Sequence, residues 1–172
     1  SFSLDAVEAV IQTEVPDLDS LEVIDTLSSL VERSLITADD QDSRRSFRLL
    51  DTIREYAREQ LLLNLGEAAA KSAHVNYYVQ LATHAESGIR GSEQAYWIDT
   101  LLWQHENIAA AFDYAEDDPE GRPQQLRLVA ALWRFWLVAG QLTEGRSRAR
   151  NAVERSGSEG DRAILAQALN GA

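Results

Sequence analysis

Hydrophobic positions keep helical spacing in the first third of the chain, alternate briefly, and then return to helical spacing. Leu21, Ile24, Leu27, Leu30 and Val31 form one apolar stripe, with Asp25, Ser28, Ser29 and Glu32 on other faces. Helices are predicted near residues 4–13 and 20–33. Ser3 is placed to cap the first, with Phe2 and Val7 closing over each other as a hydrophobic staple. Asp19 repeats the device, with Glu22 as capping partner and Leu18 and Val23 as the staple. From Leu35 the pattern becomes "SLITA", a polar "DDQDSRR" and "SFRLL", two short strands joined by a solvated loop. Thr52 and Glu55 then form a Thr-x-x-Glu capping box, with Asp51 as an alternative cap. Ile53, Tyr56, Ala57 and Leu61 make the stripe of a third helix that Gly66 stops.

Helix, helix, hairpin, helix is the order of a winged helix. Beyond Gly66 no strand signal survives, and helices are predicted near 67–86, 92–117, 122–139, 142–156 and from 160 onward. Short connections make neighbours pack antiparallel. Trp133, Trp136, Gly140, Gly145, Ala149 and Ala152 resemble the aromatic, glycine and small-residue positions of a 34-residue tetratricopeptide repeat, and Ala163–Ala172 would begin the next one. The expected fold is mainly α: a winged-helix domain with a small β-hairpin over residues 1–65, then antiparallel helical-hairpin, tetratricopeptide-like repeats over 66–172. The last residues read as a helix still in progress, so the chain is expected to be a piece of a larger protein.

With 172 residues, 45% of them hydrophobic, the chain can bury one good core or two small ones. It has no cysteine, which excludes a disulfide framework and a thiolate metal site; the three histidines are scattered. No apolar run approaches the ~20 residues that span a bilayer, and the first residues lack the basic and hydrophobic regions expected of a signal peptide. A cytoplasmic location and no membrane partner are expected. The formal net charge of −12 repels polyanions on average. Residues 1–65 hold 6 Arg against 14 Asp and Glu, a balance of −8, and the candidate recognition helix "DSLEVIDTLSSLVERS" carries four acids against Arg33 alone. Only Arg44, Arg45 and Arg48 near the wing can meet phosphate. Phosphate contacts supply most non-specific affinity, so direct DNA binding is not expected of this segment.

Catalytic motifs are absent. "HENIA", His105 to Ala109, opens like a zinc-protease motif, but Ala109 stands where the second ligand belongs. The carboxylates of "AEDDPE" lack the alternating spacing of a calcium loop and read as a solvated turn. With Lys71 the only lysine, no Gly-Lys-Ser/Thr phosphate loop exists, so neither metal nor cofactor is expected in this segment. The aromatic group Trp97, Trp103, Trp133, Phe135 and Trp136 can stack on ligands, but Leu126, Val129, Ala130, Trp133 and Leu137 form a helical stripe that favours core packing. Trp136, beside that stripe, is the aromatic assigned a partner-facing role. Arg146, Arg148, Arg150 and Arg155 concentrate positive charge that can hold an acidic peptide or phosphate, or pair with Glu144 and Glu154 as a solvated face.

The segments "SLDAVEAV", "LSSLVERSLI", "FRLLDTIREYAREQL", "GEAAAKSAHVNYYVQLA", "HENIAAAFDYA" and "ALWRFWLVAGQLTEGRSRARNAV" occur in an order that resembles bacterial multidomain transcriptional regulators of the AfsR and LuxR-like type. These are signal-transduction ATPases with numerous domains, the STAND class, related to NB-ARC proteins. The resemblance covers nearly the whole chain. It implies an ATPase module, with its ATP or ADP, ahead of the winged helix and outside this chain. It also implies a winged helix that clamps that module and repeats that sense a protein or small-molecule signal. The family's Met-His-Asp nucleotide-sensing motif falls on Leu49, Leu50 and Asp51, so Leu50 replaces the histidine. Asp51 and Arg48 are the candidates for nucleotide sensing or interdomain docking; Trp136, Arg146, Arg148 and Arg150 are those for partner binding. Two alternatives stand beside this reading: a DNA-binding winged helix, and a stand-alone adaptor for acidic peptides.

Overall fold

In the computed structural model, the structure describes residues 1–15, 17–41, 44–63, 66–118 and 121–155. The predicted helix from 160 onward, the repeat beginning at Ala163, the Pro119–Glu120 turn and the Arg155 side chain lie outside the described residues. Among the described residues the fold is mainly helical: β1 (Phe2–Ser3), α1 (Leu4–Glu14), α2 (Ser20–Glu32), β2 (Ile36–Gln41), β3 (Arg44–Leu49) and α3 (Asp51–Leu63) come first. They are followed by α4 (Glu67–Ile89), α5 (Gln94–Trp103), α6 (His105–Asp117), α7 (Arg122–Val138) and α8 (Leu142–Arg155). The chain forms two compact units that divide between Tyr77 and Tyr78, inside α4.

In the first unit, β3 is the central strand of an antiparallel sheet of order β1-β3-β2, with Phe2 opposite Phe47 and Ile36 opposite Leu49. The short strand β1 was not anticipated. Its two residues have too little sequence to show alternation, and Ser3 also caps α1, accepting from the Ala6 N–H at 3.3 Å. The capping box of α2 forms as expected, with the Asp19 N–H donating to Glu22 Oε2 at 3.4 Å and the Leu21 N–H donating to Asp19 Oδ1 at 3.5 Å. At its other end α2 stops at Glu32 with Arg33 as the cap, and the next residue, Ser34, has a φ of 57°, the left-handed conformation that usually calls for glycine. The core is Val23, Leu27, Ile36 and Phe47, with Phe2 stacked on Phe47 at 5.8 Å between ring centroids. Tyr77, at the unit's edge, is hydrogen-bonded to Ser3, and burial raises its hydroxyl above the ordinary pKa.

The second unit is helical throughout its described residues. The single helix expected over 92–117 is two, α5 and α6, broken at Gln104. Gln104 is buried and its side chain is tied down: Oε1 accepts from the Tyr78 hydroxyl at 2.9 Å and from Asn107 Nδ2 at 2.7 Å. No Gly or Pro marks this break, which a long-range polar contact holds instead. Helices α7 and α8 form a hairpin through Gly140, whose φ of +73° lets the Gln141 N–H reach back to the Trp136 carbonyl at 2.8 Å. Leu126, Leu132, Phe135, Phe112 and Leu101 are buried in this unit.

Candidate functional site

The strand-to-helix joint is organised by Arg54. Helix α3 begins with the Arg54 N–H donating to the Leu50 carbonyl at 2.8 Å, so the cap position falls on Leu50, ahead of both Asp51 and Thr52. The Arg54 guanidinium donates to Asp51 Oδ1 at 3.1 Å and to the Leu49 carbonyl at 3.4 Å, joining the last residue of the wing to the first turn of the helix. Asp51 therefore stands exposed at a helix N-terminus, where its charge suits the dipole, with Arg54 as its ion-pair partner. Arg48 is exposed on β3, and its carbonyl accepts from Thr37 Oγ1 at 3.5 Å. Arg54 was not among the sequence candidates; the Asp51–Arg54 spacing of three on a helix was the available signal.

The apolar stripe assigned to α3 is not buried. Ile53 is half-buried, but Ala57 and Leu61 are exposed, Tyr56 is 61% exposed, and no residue of the helix is buried. Leu63 is 75% exposed, and Leu50 and Leu62 are exposed too. The small core is closed by α2 and the hairpin without help from α3, which is why an amphipathic helix is left with its apolar side outward. A similar correction applies to α2. Val23 and Leu27 are buried and Leu30 and Val31 half-buried, while Leu21, at 66%, and Ile24 are exposed beside Glu22 and Asp25.

Trp136 does not face a partner. It is only 2% exposed, stacked on Phe112 at 6.1 Å and packed against Gly145. Helix α7 packs against both α6 and α8, and its buried face centres on Leu128, Leu132, Phe135 and Trp136, while Leu137 of the expected stripe is exposed and Ala130 and Trp133 are half-buried. Arg148 is likewise committed within the unit: its side chain is 20% exposed, 3.2 Å from Asp113 Oδ1, and its guanidinium lies 4.8 Å from the Phe112 ring centroid. Its carboxylate partner is on α6, not Glu144 or Glu154 of its own helix. Arg146 and Arg150 remain exposed on α8. His74 is half-buried on α4, and desolvation lowers its pKa to about 4, so the imidazole is neutral at pH 7. Among the described residues, no group of three or more His, Asp or Glu side chains is placed to hold a metal ion. No helix of the described residues is long and apolar enough to cross a membrane.

Residues 1–62 match the family model of the winged helix-turn-helix domain. The N-terminal unit is built on a winged helix-turn-helix domain. A protein of Mycobacterium bovis and one of Mycobacterium tuberculosis are each 33% identical to the chain over 153 residues, which is 89% of this chain and 17% of theirs. Both carry the provisional name HTH-type transcriptional regulator. The aligned stretch is longer than the winged helix, so the similarity runs on into the helical region. The chain spans 17% of the length of these relatives. No solved structure matches the chain at a significant level.

Within the winged helix-turn-helix domain, α1 and α2 are the two helices of the motif and the β2–β3 hairpin is the wing. Where such a domain reads DNA, the second helix enters the major groove. Here that helix presents Leu21, Glu22, Ile24 and Asp25 to solvent, a mixed apolar and acidic surface. On the wing, Arg45 is already paired with Asp40 at 3.6 Å and lies 5.8 Å from the Phe47 ring centroid. The winged helix-turn-helix domain thus has the fold of a DNA reader with little of its charge.

Proposed function

We propose that this chain is a non-catalytic regulatory and protein-interaction segment of a multidomain, ATP-dependent bacterial transcriptional regulator that acts in the cytoplasm. In this reading the winged helix clamps an ATPase module elsewhere in the parent chain, and the tetratricopeptide-like helices carry a protein or small-molecule signal. The uncovered face of α3 carries the proposal. Tyr56 and Leu63, seven residues apart and so on one face of a helix with no buried residue, are apolar and exposed, and Leu50 is exposed beside the charged Asp51–Arg54 pair at its start. An apolar patch rimmed by charge is what an interface within a larger protein leaves behind when it is viewed in one piece. Any ATP or ADP belongs to the ATPase module; Asp51 and Arg48 are the groups of this chain placed at that interface, and Leu50 offers packing where a histidine would offer a phosphate contact.

The parent protein tests this directly. It must carry a Gly-x-x-x-x-Gly-Lys-Ser/Thr loop, and Tyr56→Glu with Leu63→Glu should loosen the clamp, speeding ADP release at least severalfold. A parent chain without that loop, or unchanged ADP release in the double variant, overturns the reading.

A second reading, DNA binding by the winged helix, is favoured by the domain match, by the relatives' names and by Arg44, Arg45 and Arg48 on β3. A low-salt gel shift with the chain decides it. Retardation that weakens on Arg48→Ala and falls steeply with added salt supports DNA binding, and no retardation at high micromolar protein removes it.

A further inference from the structure

In the second unit, the end of α4 and the start of α5 enclose an open cleft of about 550 Å³, lined chiefly by His84, Ser87, Gly88, Glu93 and Trp97. The indole of Trp97 lies directly on the backbone of α4. A Cβ placed on Gly88 would stand 2.0 Å from both Cδ1 and Nε1 of Trp97, so only glycine lets the ring lie there. Two further contacts fix the ring: its Nε1–H donates to Glu93 Oε2 at 3.3 Å, and Tyr96 packs edge-on against it at 5.3 Å with the planes at 79°. The cleft thus has a held aromatic surface with a carboxylate at its edge.

Its lining includes a carboxylate and neither lysine nor arginine. The cation in the adjoining turn, Arg90, is engaged with Glu86 at 2.7 Å. An indole face attracts cations through its quadrupole, a carboxylate does so by charge, and the two together favour a cation with an apolar body over a metal ion. The volume suits a small organic molecule. The chain's net charge of −12 adds a long-range bias in the same direction.

We propose that this cleft binds a small organic cation, an alkylammonium or guanidinium group, between the Glu93 carboxylate and the Trp97 indole. The inference goes beyond the regulatory reading and does not depend on it, because every residue it uses lies in the α4–α5 corner. The same group is borne by free amines and by Lys or Arg side chains of peptides, and the test separates these sources.

The ¹⁵N-labelled chain is titrated with methylammonium chloride and, separately, with the peptide acetyl-Gly-Lys-Gly-amide, each against sodium chloride at matched ionic strength. The readout is the indole N–H signal of Trp97, identified by its loss in Trp97→Phe. A saturable shift with at least one probe is expected, with affinity about tenfold weaker in Glu93→Gln, the loss that follows from removing a charged hydrogen-bonding partner. The tighter probe names the source as free cation or peptide. Glu93 is on the surface, so Glu93→Gln folds normally and the comparison stands on its own. No saturable shift with either probe up to about 50 mM, tens of times the millimolar constant of a single weak site, overturns the proposal, as does equal affinity in Glu93→Gln.

Discussion

Trp136 occupies the space that a side chain at position 145 would need: a Cβ on Gly145 would stand 2.7 Å from Trp136 Cε3 and 2.9 Å from Cδ2. Gly145 lies inside α8, where glycine costs about 1 kcal/mol relative to alanine, so its presence reflects the close approach of α7 and α8 rather than helix propensity. Gly145→Ala should therefore destabilise despite the better helix former. Forcing the indole aside costs about 1–3 kcal/mol, which outweighs the propensity gain and lowers the melting temperature by a few degrees. Pairing it with Trp136→Phe should recover part of the loss. Thermal melts of the two single variants and the double variant check this, and a Gly145→Ala protein as stable as the parent would show that the hairpin is looser than drawn.

What the sequence revealed and what it hid divide along the range of the interactions. The Asp19–Glu22 capping box was legible because a cap is settled by residues three apart, and the wing hairpin because alternation and its polar loop are local. Trp136 was placed outward because the stripe through Trp133 marks one face of α7 only; nothing in periodicity says that Phe112 covers the next face. The stripe of α3 failed in the opposite sense. Spacing shows that Ile53, Tyr56, Ala57 and Leu61 share an apolar side, but not that anything packs on it. The break at Gln104 depends on Tyr78, 26 residues earlier, which no local pattern reports.

Arg148 is expected to matter for stability more than for partner capture. Its guanidinium meets both Asp113 and the Phe112 ring. The ion pair is discounted because Asp113 is largely solvent-exposed, leaving well under 1 kcal/mol from charge and about 1 kcal/mol from the ring contact. Arg148→Ala should cost about 1–2 kcal/mol, and a double-mutant cycle with Asp113→Asn should give a coupling below about 1 kcal/mol. Denaturant titration measures both. Acidic-peptide pull-down, if the chain has such an activity, should then depend on Arg146 and Arg150, which remain exposed.

His74 gives the protein an acid-sensitive element. Burial lowers its pKa from 6.5 to about 4, so the folded chain holds the neutral imidazole more firmly than the unfolded chain does. The sign follows: this contribution is fully present above the unfolded pKa of 6.5 and is lost as pH falls from there towards 4. A shift of this size corresponds to roughly 3 kcal/mol as an upper figure. His74→Gln should flatten the stability curve between pH 6.5 and 4.5 relative to the parent chain. Chemical denaturation at half-unit pH steps tests it, and parallel curves for the two proteins would remove His74 as the cause.

The Tyr78–Gln104 pair should show that the α5–α6 break is held by a specific polar contact and not by general packing. Both residues are buried, and the Tyr78 hydroxyl donates to Gln104 Oε1, which also accepts from Asn107. Tyr78→Phe removes one donor but leaves that oxygen bonded to Asn107, so about 1 kcal/mol is expected. Gln104→Leu takes the acceptor away from a buried hydroxyl and should cost more, about 2–3 kcal/mol. Combining the two replaces both polar partners with apolar ones and should cost less than the sum of the singles. If the two costs simply add, the hydrogen bond contributes nothing specific and the break at Gln104 must be set by the packing of α5 and α6 alone.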